Sequence, residues 1–310
     1  MTRLLLLDSA SMYFRAFFGV PDRFHAADGT PVNAVRGFAD AVARSVAVLR
    51  PDAIVACWDD DWRPAFRVER VPSYKAHRVV SGSADTAPPG LAEEVPDALA
   101  VQEPIIEALL AAVGISRLGA AGFEADDVIA QLCRDHADGP VDIVSGDRDL
   151  FQLVDDARGV RVVYTAKGMN NLQYATDDWL LDRYGVTGGA YADLALLRGD
   201  ASDGLPGVPG IGEKTAASLL SRYGDLTSAL AAAAADDPGI AAGVRKKLLA
   251  ATDYLAAADP VVRLTHHVDL PAGDHRVPRS PADPATLVDL VDTYGLETPV
   301  NRLLNALAGR

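Results

Sequence analysis

Cysteine is scarce in this chain. Its 310 residues hold only two, Cys57 and Cys133, each inside an apolar segment. That excludes a disulfide framework and a cysteine-based zinc site, and leaves two buried, reduced thiols. Long apolar runs are also missing, since no stretch approaches the roughly 18 residues that span a membrane. The run after Arg3 covers residues 4–7 before Asp8 interrupts it, shorter than the core of a secretory signal. The expectation is a cytoplasmic protein with no membrane partner. Positive charge is in deficit, 29 Lys and Arg against 43 Asp and Glu, for a formal charge of −14. Taken as a sum, that charge argues against nucleic acid as a partner. Hydrophobic residues make up 49% of the chain, which excludes disorder. The length suits one large domain or two smaller ones.

What is present reads as α/β. Residues 4–7, 53–58 and 141–144 are short apolar runs, with the length and bounding residues of strands buried on both faces of a parallel sheet. Between them, residues 34–49, 101–113 and 126–136 carry apolar positions at helical spacing. Strand and helix in alternation predict a parallel sheet with flanking helices. Residues 79–94 break the pattern with small and polar residues around Pro88-Pro89, a long loop of functional or mobile type. From about residue 200 the chain becomes helical, with helices expected at 213–223, 226–235, 244–258, 284–294 and 297–307.

The acids have a pattern of their own. Asp8 follows the first apolar run, Asp59 the second, and Asp147 and Asp149 the third by way of Ser145-Gly146. In an open α/β sheet these strand ends share the edge where ligands bind. One such Asp is ordinarily a helix cap or turn residue; three at one edge are harder to explain that way. Glu124, Asp126 and Asp127 open a helix, where acids also favour the dipole. Asp200 and Asp203 follow in a Gly-flanked turn. If all nine converge, their mutual repulsion, roughly 4 kcal/mol per close pair at an effective dielectric of 20, demands cations or raised pKa values. Oxygen ligands without His or Cys suit Mg²⁺ or Mn²⁺. More carboxylates than one ion can use imply two sites, the device for in-line phosphodiester displacement.

The bases also cluster. Residues 62–78 hold five Lys and Arg against one acid, interleaved with Phe66 and Tyr74. A solvated basic face would look similar; the position beside the acids favours phosphate. Further on, Gly207-Val208-Pro209-Gly210-Ile211-Gly212 leads into a helix beginning Glu213-Lys214-Thr215. Glycines around an apolar tip before a helix N-terminus read as a helix–hairpin–helix turn that grips phosphates without regard to sequence, with Arg245-Lys246-Lys247 as a further contact. The overall negative charge is then no obstacle to DNA.

These residues, in this order, resemble the bacterial 5′-nuclease (flap endonuclease-like, 5′–3′ exonuclease) family, which includes the N-terminal nuclease domain of DNA polymerase I. The resemblance rests on Asp8, Phe14-Arg15-Ala16-Phe17-Phe18, Asn33-Ala34-Val35-Arg36-Gly37-Phe38, Trp58-Asp59, Phe66-Arg67, Tyr74-Lys75-Ala76-His77-Arg78, Gly122 through Asp127, Ser145-Gly146-Asp147-Arg148-Asp149-Leu150 and the stretch from Gly199-Asp200 to Ala216. It covers roughly residues 3–270. It implies a PIN-like or Rossmann-like nuclease core over residues 1–185, with a helical arch at about 72–103. A helical region over 186–310 would follow, carrying a helix–three-turn–helix motif at about 199–223.

The implied activity is structure-specific 5′-flap endonuclease and 5′–3′ exonuclease cleavage of DNA in replication and repair, by a monomer, leaving 5′-phosphate and 3′-hydroxyl ends. By the same resemblance Asp8, Asp59, Glu124, Asp126 and Asp147 hold one Mg²⁺ or Mn²⁺. Asp149, Asp200 and Asp203 hold a second, with Asp126 or Asp127 close to both. Lys75 and Arg78 act on the scissile phosphate. Arg15, Arg67, Tyr74, Gly207, Gly210, Gly212, Lys214 and Thr215 contact DNA, and a K⁺ commonly sits at the hairpin. Asp59, nearest the strand, is favoured over Asp60 and Asp61. The chain departs from the family at Asp8-Ser9, where Asp-Gly is usual, at Ser202-Asp203-Gly204, where Ser-Asp-Asn is usual, and at Trp58. No polymerase domain follows, so a stand-alone nuclease is expected. Two other readings stay open. A catalytically silent branched-DNA-binding paralogue would have lost some acids, and all are present. A haloacid-dehalogenase-like phosphatase needs an acid two residues after Asp8, where Ala10 stands.

Overall fold

The three apolar runs form the centre of the sheet. In the computed structural model, which describes residues 2–79, 95–265 and 267–309, β1 (Leu4–Asp8) pairs in parallel with β2 (Ala53–Cys57) on one side and β4 (Val141–Ser145) on the other. Three further strands complete the order β3-β2-β1-β4-β5-β6. They are β3 (Ser116–Leu118), β5 (Val160–Tyr164) and β6 (Gln173–Ala175), the last antiparallel at its edge. Because β1 is flanked by β2 and β4, the winding direction reverses between β1 and β4. Beyond the strand ends at that reversal an α/β sheet opens a crevice.

Alternation along the strands divides the core in two. Leu5, Leu7, Ile54, Ala56, Val144 and Val163 face one layer. It contains α1 (Ser9–Gly19), α2 (Asn33–Leu49), the short α4 (Asp97–Ala100) and α5 (Glu103–Val113). Leu4, Leu6, Val55, Cys57, Ile143 and Val162 face the other. There lie α6 (Ala125–Asp135), α7 (Asp177–Tyr184), α8 (Tyr191–Arg198), α9 (Glu213–Tyr223), α10 (Leu226–Ala234), α11 (Ala242–Ala250) and α12 (Thr252–Val262), with the single turn α3 (Ala65–Val68) near the sheet edge. The helices after residue 186 therefore share a core with the sheet. Two of them cross back: α13 (Pro284–Tyr294) packs on α5, and α14 (Glu297–Ala308) packs along α2, burying Val300, Leu303 and Leu307.

The sequence predicts α9 and α13 to the residue, and α2 to within one. The expected helix at 244–258 is instead two, α11 and α12, broken at Ala251. No glycine or proline marks that break; it lets Leu248, Leu255 and Ala258 all reach the core. The start of α2 lacks a cap from its own chain neighbours. Gln102, buried just before α5, supplies one, its Oε1 accepting from the amides of Ala34 (2.8 Å) and Val35 (3.3 Å). Of the arch expected at about 72–103, residues 80–94 lie outside the described residues; the described remainder includes a 3₁₀ turn at Ala76–Arg78 and α4.

Candidate metal centre and DNA-facing cleft

A cavity of ≈ 580 Å³ opens at the reversal point, lined by six carboxylates, Asp8, Asp59, Glu124, Asp126, Asp147 and Asp200. Lys75, His77 and Arg78 line it too. Asp8 ends β1 and caps α1, its Oδ1 accepting from the Ser11 amide at 3.1 Å while Oδ2 accepts from the Ser145 hydroxyl at 2.5 Å. Burial pushes its carboxyl up to about 7; the Ser145 hydroxyl opposes this, and the charges of Asp59 and Asp147 reinforce it. Asp59 accepts from the Ala125 amide at 2.7 Å, across from β2 to the start of α6, and burial raises its carboxyl too. Asp60 instead pairs with Arg117 at 2.8 Å, and Asp61 accepts from the Arg63 amide, so Asp59 is the member of that run in the cavity.

Asp126, in the first turn of α6, has no hydrogen-bond or ion-pair partner among the described residues. Burial, then Asp147 and Asp8, hold its carboxyl well above the carboxylate range. Asp147 is exposed and accepts from the Asp149 amide at 3.0 Å. Asp149 and Asp203 stand beside the lining residues. Burial raises both carboxyls; at Asp149 the neighbouring charges of Asp147, Asp203 and Asp200 add to it. Asp200 caps its turn on the Ser202 amide at 2.8 Å.

The basic wall is built by burial. Lys75 Nζ donates to Glu124 Oε1 at 2.6 Å. Burial opposes its charge, but Glu124 outweighs burial and keeps the ammonium protonated far above neutrality. Glu124 is held low in turn: burial works against its charge, and Lys75 and Arg67 prevail. Arg78 donates to the Ser202 carbonyl at 2.9 Å and to Asp203 at 3.2 Å. Arg63, which the sequence reading passed over, is buried and donates to the carbonyls of Tyr74 (2.6 Å) and Pro72 (2.9 Å). It pins the turn that carries Lys75. Ser145, Ser11 and Arg148 are likewise additions; only their strand-end positions could have signalled them.

Three expected residues turn away. Asp127 is fully buried, both its oxygens taken by Arg67 at 2.7 Å, so it cannot face an ion in the cleft. Arg67 and Tyr74, expected on DNA, are buried behind the cleft. Arg67 is spent on Asp127 and Glu124, and the Tyr74 hydroxyl on Glu124 at 2.8 Å. Arg15 lies half-buried behind Gly146, one nitrogen reaching the Ala166 carbonyl at 3.4 Å. In the hairpin, Gly207 is buried and donates to the Tyr254 hydroxyl at 3.0 Å. Gly210, Gly212 and Lys214 are exposed, with Thr215 half-exposed. No side chain caps the α9 N-terminus, so its first amides point outward. Lys247 Nζ donates to the Gly210 carbonyl at 2.9 Å, and Arg245 pairs with Asp236.

Among the described residues no three acids stand close enough to enclose an ion by themselves, so the cleft is a lined pit and not the closed cage the acid count suggests. Mg²⁺ rarely needs more, keeping several waters and using one or two carboxylates plus substrate phosphates. The all-oxygen donors, the unpartnered Asp126 and the raised carboxyls fit such an ion.

Residues 3–185 match the family described as 5′-3′ exonuclease, N-terminal resolvase-like domain, and residues 186–285 match 5′-3′ exonuclease, C-terminal SAM fold. A 5′-3′ exonuclease of Streptomyces coelicolor is 56% identical over 98% of this chain and 99% of its own. One of Mycobacterium tuberculosis is 50% identical over 98% and 97%. The chain belongs to the 5′–3′ exonuclease family.

DNA polymerase I of Mycobacterium bovis is 37% identical over 73% of this chain but only 23% of the polymerase. The fold is shared with the T5 D15 protein co-crystallised with metal ions, at TM-score 0.64 and 17% identity over 98% of each chain. It is also shared with the catalytic core of Rad2 in complex with DNA substrate, at TM-score 0.58 and 15% identity over 98% of this chain and 92% of that one. No described helix is long and apolar enough to cross a membrane. The chain's departure at Gly204 has a local cause. Gly204 lies at φ +70, and a Cβ there would stand 2.2 Å from the Ser73 carbonyl oxygen. The Lys75 turn and the Asp203 turn meet at that point, with the Ser73 hydroxyl on the Gly204 carbonyl (2.9 Å) and the Lys75 amide on the Asp203 carbonyl (3.0 Å).

Proposed function

We propose that this 5′–3′ exonuclease is a structure-specific, divalent-metal-dependent nuclease that cleaves 5′-flap, nicked and 5′-ended branched DNA as a monomer. The observation that carries the reading is the pit itself, six carboxylates facing Lys75 and Arg78 at the sheet's reversal point. Asp8, Asp59, Glu124, Asp126 and Asp147 would surround one Mg²⁺ or Mn²⁺, one or two of them binding it directly and the others through water, and Asp149, Asp200 and Asp203 would surround a second in the same way. Bound there, the pair would stabilise charge on the attacking and leaving oxygens of the phosphodiester.

The chain's own groups do the rest. Lys75, kept charged by Glu124, and Arg78 can each turn a donor onto a non-bridging phosphate oxygen, where negative charge grows in the transition state. Water attacks phosphorus, the bond to O3′ breaks, and the products carry a 5′-phosphate and a 3′-hydroxyl. The open amides before Thr215, with Lys214, take up a backbone phosphate of the duplex. A K⁺ there would share carbonyls with the Lys247 ammonium, so exchanging K⁺ for Na⁺ tests it. Incubating the protein with end-labelled 5′-flap, nicked and single-stranded DNA, with Mg²⁺, Mn²⁺ or EDTA, tests the whole reading. Metal-dependent release of 5′-phosphorylated fragments from the flap is expected; an EDTA-resistant product, or none, overturns it.

A further inference from the structure

Arg67 and Asp127 are buried charges that the pit does not use, 1% and 0% exposed. Besides its fork onto Asp127, the guanidinium makes two more bonds. Nη1 donates to Glu124 Oε2 at 2.9 Å, and Nε donates to the Val261 carbonyl at 3.1 Å. Asp127 also accepts from the Thr265 amide at 3.1 Å. Val261 lies in the last turn of α12, and an earlier residue of α12, Tyr254, receives the Gly207 amide of the hairpin. Nearby side chains fasten the same segment. Gln152 bonds the Val262 carbonyl and the Leu264 amide, and Gln131 accepts from the Val268 amide.

Taking two charges out of water is costly, and a well-packed apolar pair often stabilises a core at least as well. An apolar pair gives no direction, however, whereas a guanidinium fork fixes both the plane and the distance of a carboxylate. We propose that Arg67 and Asp127 are positioning residues that lock the end of α12 to Glu124. The helical unit gripping duplex through residues 207–216 is thereby held in register with the wall carrying Glu124 and Lys75. The inference rests on the nuclease reading above and adds to it a device by which duplex capture and phosphate placement stay aligned.

The test compares wild type, D127N, R67K and R67M. D127N keeps the shape and loses half of the ion pair; R67K keeps the charge and loses the fork. A misplacement of an ångström can cost about 100-fold in rate, so D127N and R67K should lower single-turnover cleavage at saturating DNA and Mg²⁺ by at least about 10-fold. The KM for flap DNA should stay within about twofold, because the hairpin is untouched. R67M should fall below R67K. Hydrogen exchange of the Thr265 amide should rise at least about 10-fold in D127N, since its acceptor is weakened. Wild-type turnover with unchanged Thr265 exchange overturns the proposal. Recovery of D127N at high Mg²⁺ does so too, by making Asp127 a metal ligand, as does a rate loss that merely follows the fraction unfolded. A wild-type chain that cleaves no flap sinks the nuclease reading instead, and the exchange measurement then still decides the lock.

Discussion

Asparagine at position 126 or 147 keeps the volume of the side chain and removes its charge. With Asp126 facing the pit without a protein partner and Asp147 exposed at its mouth, neither substitution disturbs packing. Each should lower flap cleavage by at least about 100-fold at saturating Mg²⁺ while leaving DNA affinity nearly intact; near-wild-type rates in a gel assay would remove that residue from the centre. At Gly204, asparagine would restore the family's usual residue, yet the Ser73 carbonyl occupies the space its Cβ needs. The strain should cost about 1–3 kcal/mol and push the Lys75 turn outward. A lower melting temperature together with slower turnover is expected, and unchanged values of both would contradict that contact. At this scale the sequence shows which acids exist but not where they point. Asp126 and Asp127 are adjacent and look interchangeable. One turns into the pit and the other into Arg67, because successive helical positions differ by about 100°.

The hairpin leading into α9 is the element proposed to face duplex, and Lys214 is an exposed cation on it. Lys214→Ala should weaken duplex binding, reduce the slope of log affinity against log salt by about one, and leave turnover at saturation unchanged; filter binding across a salt series checks it. Elements with strong periodicity were legible. β1 and β2 carry unbroken apolar runs and β4 one broken only by Asp142, and α9 and α13 both end on Tyr-Gly. β5 was not, although Arg161 interrupts it only as Asp142 interrupts β4, because no acid follows it to draw attention; the two charges pair across the neighbouring strands at 2.6 Å, 19 residues apart. β3 and β6 are three residues each, too short for any period to register. α1 escaped because its cap is Asp8, which reads first as part of the acid pattern.

For the whole molecule, the uneven placement of charge matters more than its sum. Asp8 holds a proton in the folded state between its ordinary value of 3.8 and about 7, which the unfolded chain has already released. Stability therefore falls as pH rises through that window, and Asp59, Asp126, Asp149 and Asp203 push the same way. Glu124, held low, acts oppositely; its contribution is present above 4.5 and lost as pH falls further. Metal-free protein should melt at progressively lower temperature from pH 4.5 to 7, and Mg²⁺ or Mn²⁺ should reverse the trend, because a cation replaces the proton. A melting temperature that rises over this range without metal would show that the acids do not crowd one another. The global arrangement was only partly legible, since nothing in the local pattern of residues 297–308 says that they pack against a helix some 260 positions earlier. That return of α14 onto α2 has a temporal consequence. During synthesis the face of α2 that α14 covers stays open to water until residues 297–308 have themselves been made.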